Sequence, residues 1–242
     1  MLNELNKQLE LLKIDLSDDQ KNKISIFLEQ IAVNNQLFNL TGYKTKELIV
    51  SMLGIKSILL ANSLKDEFLN QNLKVIDIGT GAGIPGIIIK ILYPNLDITL
   101  LDSNNKKINF INEVIKLLDL KTTEAISFRV EDKAFLNQYQ NKFDFAFSQA
   151  VSNIAVLNEL SVKLLKIHGK IIHFKSKNFQ TEIDFAQPYL NDLGLTYNKL
   201  VEFVFNDYFL VNVFYNKNTE TSDKYPREWS KIKKELIKDA KH

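Results

Sequence analysis

At 242 residues, a quarter of them charged, the chain is long enough for one α/β domain with an appendage, or for two small domains, and has the composition of a soluble globular protein. A net charge of +2 gives no strong basic field of the kind that marks a nucleic-acid binder by itself, although a local patch would suffice. The absence of cysteine excludes disulfides and cysteine-based zinc sites and fits a reducing compartment.

The first residues, MLNELNKQLE, lack the basic start and unbroken apolar core of a signal peptide. No run of about 18 apolar residues occurs anywhere, so no membrane span is expected. The expectation is a soluble, cytoplasmic chain, and nothing calls for an obligate dimer, so a monomer is expected. Leu2, Leu5, Leu9 and Leu12 recur at helical spacing. Ser17 followed by Gln20 is a capping-box pattern that starts a second helix, with Ile24, Phe27 and Ile31 on its buried face. A third helix is expected over about 46–62. Residues 1–70 thus form a helical cap.

From residue 71 the pattern changes. VIDI (75–78), ITLLD (98–102), AISFRV (125–130), FDFAFS (143–148) and KIIHF (170–174) are short strand-like runs separated by helical patterns. The clearest helix carries Ile108, Ile111, Val114 or Ile115, and Leu118. Alternation of this kind implies βαβ units and a mostly parallel sheet. LTYNKLVEFVF (195–205) and DYFLVNVFY (207–215) then follow with almost no linker, which calls for an antiparallel hairpin. The expected α/β domain covers 71–215, and residues 216–242 form a polar tail richer in Lys and Arg than in acids.

The stretch KVIDIGTGAGIPG (74–86) places Gly79, Gly81 and Gly83 directly after a strand, with Pro85 as the expected first residue of a helix. Glycine permits a sharp turn and close ligand approach, and free amides at the helix start favour polar or negative groups. Asp102 closes the next strand, 23 residues after Gly79, where an acid can take a ribose hydroxyl pair. The dinucleotide fingerprint would need glycine at the position of Ile84, and the spacing here is instead G-x-G-x-G. Asp77, inside the strand, disfavours a pyrophosphate and suits the cationic amino-acid part of S-adenosylmethionine. That cofactor is preferred to NAD. The competing reading is that the glycines serve tight packing alone.

IDIGTGAGIPG followed by LLDSNNKKINFINEVIKLL resembles the bacterial glucose-inhibited division protein B family, the ribosomal RNA small-subunit methyltransferase G proteins. NLT (39–41) resembles that family's N-terminal signature and KYPR (224–227) the start of its C-terminal one. The resemblance implies a class I S-adenosylmethionine-dependent methyltransferase: a Rossmann-like seven-stranded sheet with a terminal antiparallel hairpin and an N-terminal helical cap. It implies methyl transfer to N7 of a guanine in 16S ribosomal RNA. Carried over by position, the family's cofactor-binding places fall on Gly79, Ile84, Ala134, Phe135 and Gln149, beside Gly81, Gly83 and Asp102 read from the turn and the strand end.

Several of these depart from the family pattern. Ile84 stands for an aromatic residue, Phe135 for a glutamate and Gln149 for an arginine, with Glu131 or Asp132 as nearby carboxylates. Asn34 stands for a tryptophan before NLT, LGIKS (53–57) lacks a histidine and an aspartate, and EWSKIKKEL replaces a Gly-Thr-Pro stretch after KYPR. The rival from another class is therefore a non-catalytic module that keeps the fold and binds ribosomal RNA or the cofactor.

Guanine N7 has a free lone pair at neutral pH and the donor is a sulfonium, so no catalytic acid, base or metal is expected, and alignment is the main demand. The histidines are not spaced as a metal pair. N7 lies on the major-groove edge, which an A-form helix hides, so the target must be irregular or opened RNA, or RNA held by protein in the small subunit. Lys106, Lys107, Lys224 and Arg227 are the expected phosphate contacts, with Lys231, Lys233, Lys234, Lys238 and Lys241 of the tail as further candidates. The alternative for the tail is a solvated helix of mixed charge. His173 is expected as a satisfied strand histidine, His168 as an exposed turn residue, Trp229 as an anchor for the tail, and the aromatic strand runs as sheet core.

Overall fold

Ser17 starts the longest helix as its sequence requires. Its side chain accepts from the Gln20 N–H while the Gln20 side chain accepts from the Ser17 N–H, which satisfies two donors that the first turn leaves without partners. The computed structural model describes residues 1–176, 178–205 and 208–237.

The helices before the first strand are α1 (Leu2–Leu11), α2 (Asp18–Asn34), α3 (Lys46–Ile49), α4 (Lys56–Asn62) and α5 (Lys65–Phe68). The expected single helix over 46–62 is interrupted: a π-helical stretch, Val50–Ile55, joins α3 to α4. Gly54 lies in it, where an added Cβ would come within 2.8 Å of Leu28 Cδ1, so α2 packs directly on the backbone there.

Strands and helices then alternate: β1 (Lys74–Ile78), α6 (Gly86–Leu92), β2 (Asp97–Asp102), α7 (Asn105–Leu117), β3 (Thr123–Ser127), α8 (Lys133–Tyr139), β4 (Phe143–Gln149), α9 (Ile154–Val162) and β5 (Leu165–Lys175). After α10 (Phe179–Ala186) and α11 (Leu190–Leu193) come β6 (Leu195–Phe205), β7 (Tyr208–Lys217) and α12 (Trp229–Ile232), which continues into a π-helical turn, Lys233–Ile237. The strands form a seven-stranded sheet in the order β3-β2-β1-β4-β5-β7-β6. Pairing is parallel for β2 with β3, β1 with β4, and β4 with β5, and antiparallel for β5 with β7 and β6 with β7. The α/β alternation and the antiparallel end are both as read from the sequence; the connection expected at Asn206 lies outside the described residues.

Two compact units make up the chain, one of residues 1–72 with 80–127, the other of 73–79 with 128–242. Each draws on more than one of the three segments expected from the sequence. In the first unit α7 buries Ile108, Phe110, Ile111 and Val114, which identifies Val114 and not Ile115 as the core position. Each such side chain contributes about 1.5–3 kcal/mol by leaving water. Lys90, nearly fully buried, donates to the carbonyls of Pro94 and Leu96 and to Thr122 Oγ1. Burial lowers its pKa to about 8, with Asp97 pulling the other way.

Two strands differ from expectation, β3 of the first unit and β5 of the second. β3 stops at Ser127, because the next residues turn: Asp132 donates its N–H to Arg129 O and accepts the Arg129 N–H on Oδ2. β5 begins at Leu165, so His168 sits inside it, exposed and at φ +68°, where the β4–β5 register shifts between Phe143 and Phe145. It is a strand irregularity and not a turn residue. His173 is fully buried, and its ring nitrogens lie 3.0 Å from Ser148 Oγ and 2.9 Å from Asn158 Oδ1. Burial, and then Lys175, holds its pKa well below the ordinary histidine value. The tail docks through Tyr225, Ile232 and Leu236, all buried, while Trp229 is only half-buried.

Candidate active site

The strand order reverses between β1 and β4, whose carboxyl ends lie side by side with Ile78 opposite Ser148. Open α/β sheets place their ligands at such a point. Gly79, Gly81 and Gly83 leave β1 at φ +71°, +62° and +86°, the left-handed region that side chains resist. Space adds a second demand. A Cβ on Gly79 would lie 2.5 Å from Val151 Cγ2, and one on Gly83 would lie 2.8 Å from Ile87 Cγ1.

In the first unit the turn is fastened to the end of β2. Thr80 donates its N–H to Leu101 O at 2.9 Å, and Gly81 donates its N–H to Asp102 Oδ2 at 3.0 Å. Asp102 Oδ1 accepts the Asn104 N–H at 2.9 Å, and the Lys107 ammonium lies 3.8 Å from Oδ2. The carboxylate therefore sets the course of the glycine turn and of the start of α7 together. Each of its oxygens retains a further lone pair. Ile84 is half-buried and Pro85 is the cap of α6, one place earlier than its expected role as first helical residue.

In the second unit β1 contributes Asp77, fully buried, and β4 ends at Gln149. The Gln149 Oε1 atom is buried and accepts no hydrogen bond among the described residues. Such an acceptor is costly unless a ligand or water donates to it. The loop that follows holds Ala150 at φ +56° and places Val151, 42% exposed, against Gly79.

The structure separates the remaining expected positions. Ala134 is exposed on α8. Phe135, expected at the cofactor, is fully buried, with its ring centroid 4.9 Å from that of Tyr139 and 5.8 Å from that of Phe128. Its area is best buried among these rings, and its side chain offers a ligand no polar contact. Glu131 and Asp132 do not replace that carboxylate freely. Glu131 pairs with Arg129 at 3.7 Å, and Asp132 accepts the Arg129 N–H.

Among the basic residues, Lys106 is exposed and its ammonium has no ion pair among the described residues, while Lys107 leans on Asp102. Lys224 is exposed and paired with Asp192 at 2.9 Å. Arg227, an expected phosphate contact, is held within the protein: Nε and Nη2 donate to Glu159, and Nη1 donates to Glu235. Three of its five N–H donors are engaged within the protein. Lys231, Lys233 and Lys234 are exposed; Lys238 and Lys241 lie outside the described residues.

The residues fit S-adenosylmethionine. Within the first unit the left-handed Gly81 and Gly83 leave backbone exposed to a ligand, and the strand-end carboxylate of Asp102 can accept from a ribose. No group of acidic residues and histidines among those described could hold a metal ion.

Known proteins agree with this arrangement. The family model described as rRNA small subunit methyltransferase G matches residues 20–204. Over 242 residues, covering all of both chains, the sequence is 62% identical to the ribosomal RNA small subunit methyltransferase G of Mycoplasmoides gallisepticum. It is 40% identical to that of Mesoplasma florum over 222 residues, 90% of each chain. A SAM-dependent methyltransferase from Aquifex aeolicus shares the fold at a TM-score of 0.50 and 20% identity, over 65% of this chain and 89% of that one. The fold is that of the class I S-adenosylmethionine-dependent methyltransferases, and the chain belongs to the rRNA small subunit methyltransferase G family.

Proposed function

We propose that the protein transfers the methyl group of S-adenosylmethionine to N7 of a guanine in the 16S RNA of the small ribosomal subunit. The observation that carries this reading is the glycine turn, left-handed at Gly79, Gly81 and Gly83 and fastened by the Gly81 N–H to the Asp102 carboxylate. Membership of a family whose relatives carry the name ribosomal RNA small subunit methyltransferase G supports the substrate.

When bound, S-adenosylmethionine supplies a methyl group on a sulfonium, which is already an excellent leaving group. Asp102 accepts the ribose hydroxyls on lone pairs that Gly81 and Asn104 do not use. The glycine turn presents backbone without side-chain bulk. Ile84 offers apolar surface, and the Ala134 position offers only a small exposed side chain. Guanine N7 needs no proton removed, so the chain's task is alignment. The described histidines agree: His173 has both ring nitrogens occupied, and His168 stands exposed within β5.

On the RNA side the proposal keeps Lys106, Lys107 and Lys224 as phosphate contacts, joined by Lys231, Lys233 and Lys234 on the exposed side of the tail. Arg227 takes a different part, developed below. None of the described helices is long and apolar enough to cross a membrane, and the protein is proposed to act as a cytoplasmic monomer.

The test is methyl incorporation from labelled S-adenosylmethionine into small subunits that lack the modification, with the product nucleoside identified. Label at guanine N7 is the expected result. Cofactor binding without incorporation would instead make the protein a binding module that has lost the reaction.

A further inference from the structure

The loop after β4, residues 149–153, is held from two directions within the second unit. From β5, Lys175 donates to the Ser152 carbonyl at 2.7 Å and pairs with Glu182 of α10 at 2.6 Å; Glu182 in turn accepts the Ile154 N–H at 2.9 Å. From the C-terminal segment comes a second hold. Asn153 caps α9 by accepting the Val156 N–H on Oδ1 at 3.0 Å, and its Nδ2 donates to Leu236 O at 2.6 Å. One side chain thus ends the loop, starts the helix and grips the tail.

The grip is reinforced at Glu159, 1% exposed in the middle of α9. Its two oxygens accept from the Arg227 backbone N–H at 2.7 Å, from Nε at 3.0 and 3.2 Å, and from Nη2 at 2.7 Å. A buried carboxylate needs such a partner, and a guanidinium fork meets it in a fixed orientation. Arg227 also reaches Glu235, so the same residue ties the start of the tail to its helical end. Ile232 and Leu236 fill in behind, fully buried.

What this fixes lies at the other end of the loop. Val151 packs on Gly79, and Ala150 stands in a left-handed conformation that an alanine does not choose unaided. A strained residue persists only where its surroundings over-determine it.

We infer that the C-terminal segment 225–237 is a strap that positions the loop 149–153 against the glycine turn, with Arg227 and Asn153 as its positioning residues. The inference rests on the cofactor reading of that turn. It assigns KYPR and the helix after it an internal task, distinct from RNA contact.

The experiment uses two mild full-length variants. Asn153→Ser keeps a capping oxygen and removes the donor to Leu236; Arg227→Lys keeps the charge beside Glu159 and removes the fork. Amide hydrogen exchange across 149–153 and calorimetric S-adenosylmethionine affinity are read beside the thermal midpoint. The strap predicts faster exchange in the loop with β1 and β4 unchanged, and cofactor binding weakened about three- to tenfold, the effect of one or two lost hydrogen bonds. Unchanged loop exchange in both variants overturns the inference, as does a loosened loop with undiminished affinity. A wild-type protein that binds no S-adenosylmethionine refutes the cofactor reading instead, and the exchange result alone then upholds or overturns the strap.

Discussion

The glycine turn and the loop after β4 meet at Gly79 and Val151, yet they are built from different materials. The turn is a backbone device. Its geometry comes from φ angles that only glycine adopts cheaply, and its main fastening is an N–H to a carboxylate. The loop is a side-chain device, held by Lys175, Glu182, Asn153 and, through Glu159, Arg227. A backbone device is strained by a side chain at its glycines. A side-chain device can be rebuilt from other residues.

The comparison breaks most severely at the buried ion pair. Arg227→Ala leaves Glu159 charged, buried and unpaired, and should cost about 3–5 kcal/mol of stability in denaturant unfolding. Adding Glu159→Gln should recover part of that loss, because the orphaned charge is gone. Equal stability of the single variant and the parent would remove the side-chain device from the account.

The turn is tested next. Gly79→Ala adds both left-handed strain and an overlap with Val151, and should cost about 1–3 kcal/mol in S-adenosylmethionine affinity, read by calorimetry. Val151→Ala in the same chain should restore part of it by removing the atom 2.5 Å from the new Cβ. No recovery would mean that strain alone, and not the meeting of the two devices, sets the cost. Asp102→Asn sharpens the picture at a smaller scale. The amide has one accepting oxygen where the carboxylate had two, so either the Gly81 or the Asn104 N–H loses its acceptor, with an expected loss of about 1 kcal/mol in both cofactor affinity and stability.

The mildest effect near neutrality comes from His173. Its pKa is held below the ordinary 6.5 in the folded protein, by burial first and then by Lys175. Below that value the unfolded chain takes up a proton that the folded chain refuses. Stability is therefore full above the unfolded pKa and falls as pH drops beneath it, with a slope of up to about one proton. Unfolding measured across that range should show a shallower decline in His173→Gln. Parallel curves would assign the decline to other groups.

Much of this was legible in the residues themselves. Alternating strand and helix runs gave the parallel sheet, and the close-spaced pair at 195–205 and 207–215 gave the antiparallel end. Gly79, Gly81, Gly83 and Asp102 could be named because a backbone site leaves its mark as glycine spacing, with an acid at the next strand end. The loop left no such mark. Ala150 in a left-handed conformation has no sequence signal, and Asn153 reads as an ordinary helix cap until its second bond, 83 residues away, is seen. KYPR did single out Arg227, but charge alone suggests a phosphate; only Glu159, buried on a helix that reads as apolar, shows where the fork goes. Phe135 carries a related lesson, since its place in the sequence does not tell that its ring packs with Tyr139 and Phe128. Alignment by position gives a residue's place along the chain, and the side chain's own chemistry then decides whether it faces a ligand or the core.

The most direct measurement is a calorimetric titration of the full-length protein with S-adenosylmethionine, with NAD as the control, alone and with small ribosomal subunits present. The account predicts saturable one-site binding of S-adenosylmethionine and none of NAD. Failure to bind S-adenosylmethionine under either condition, or equal binding of NAD, would contradict the assignment of the glycine turn and Asp102 as the cofactor site.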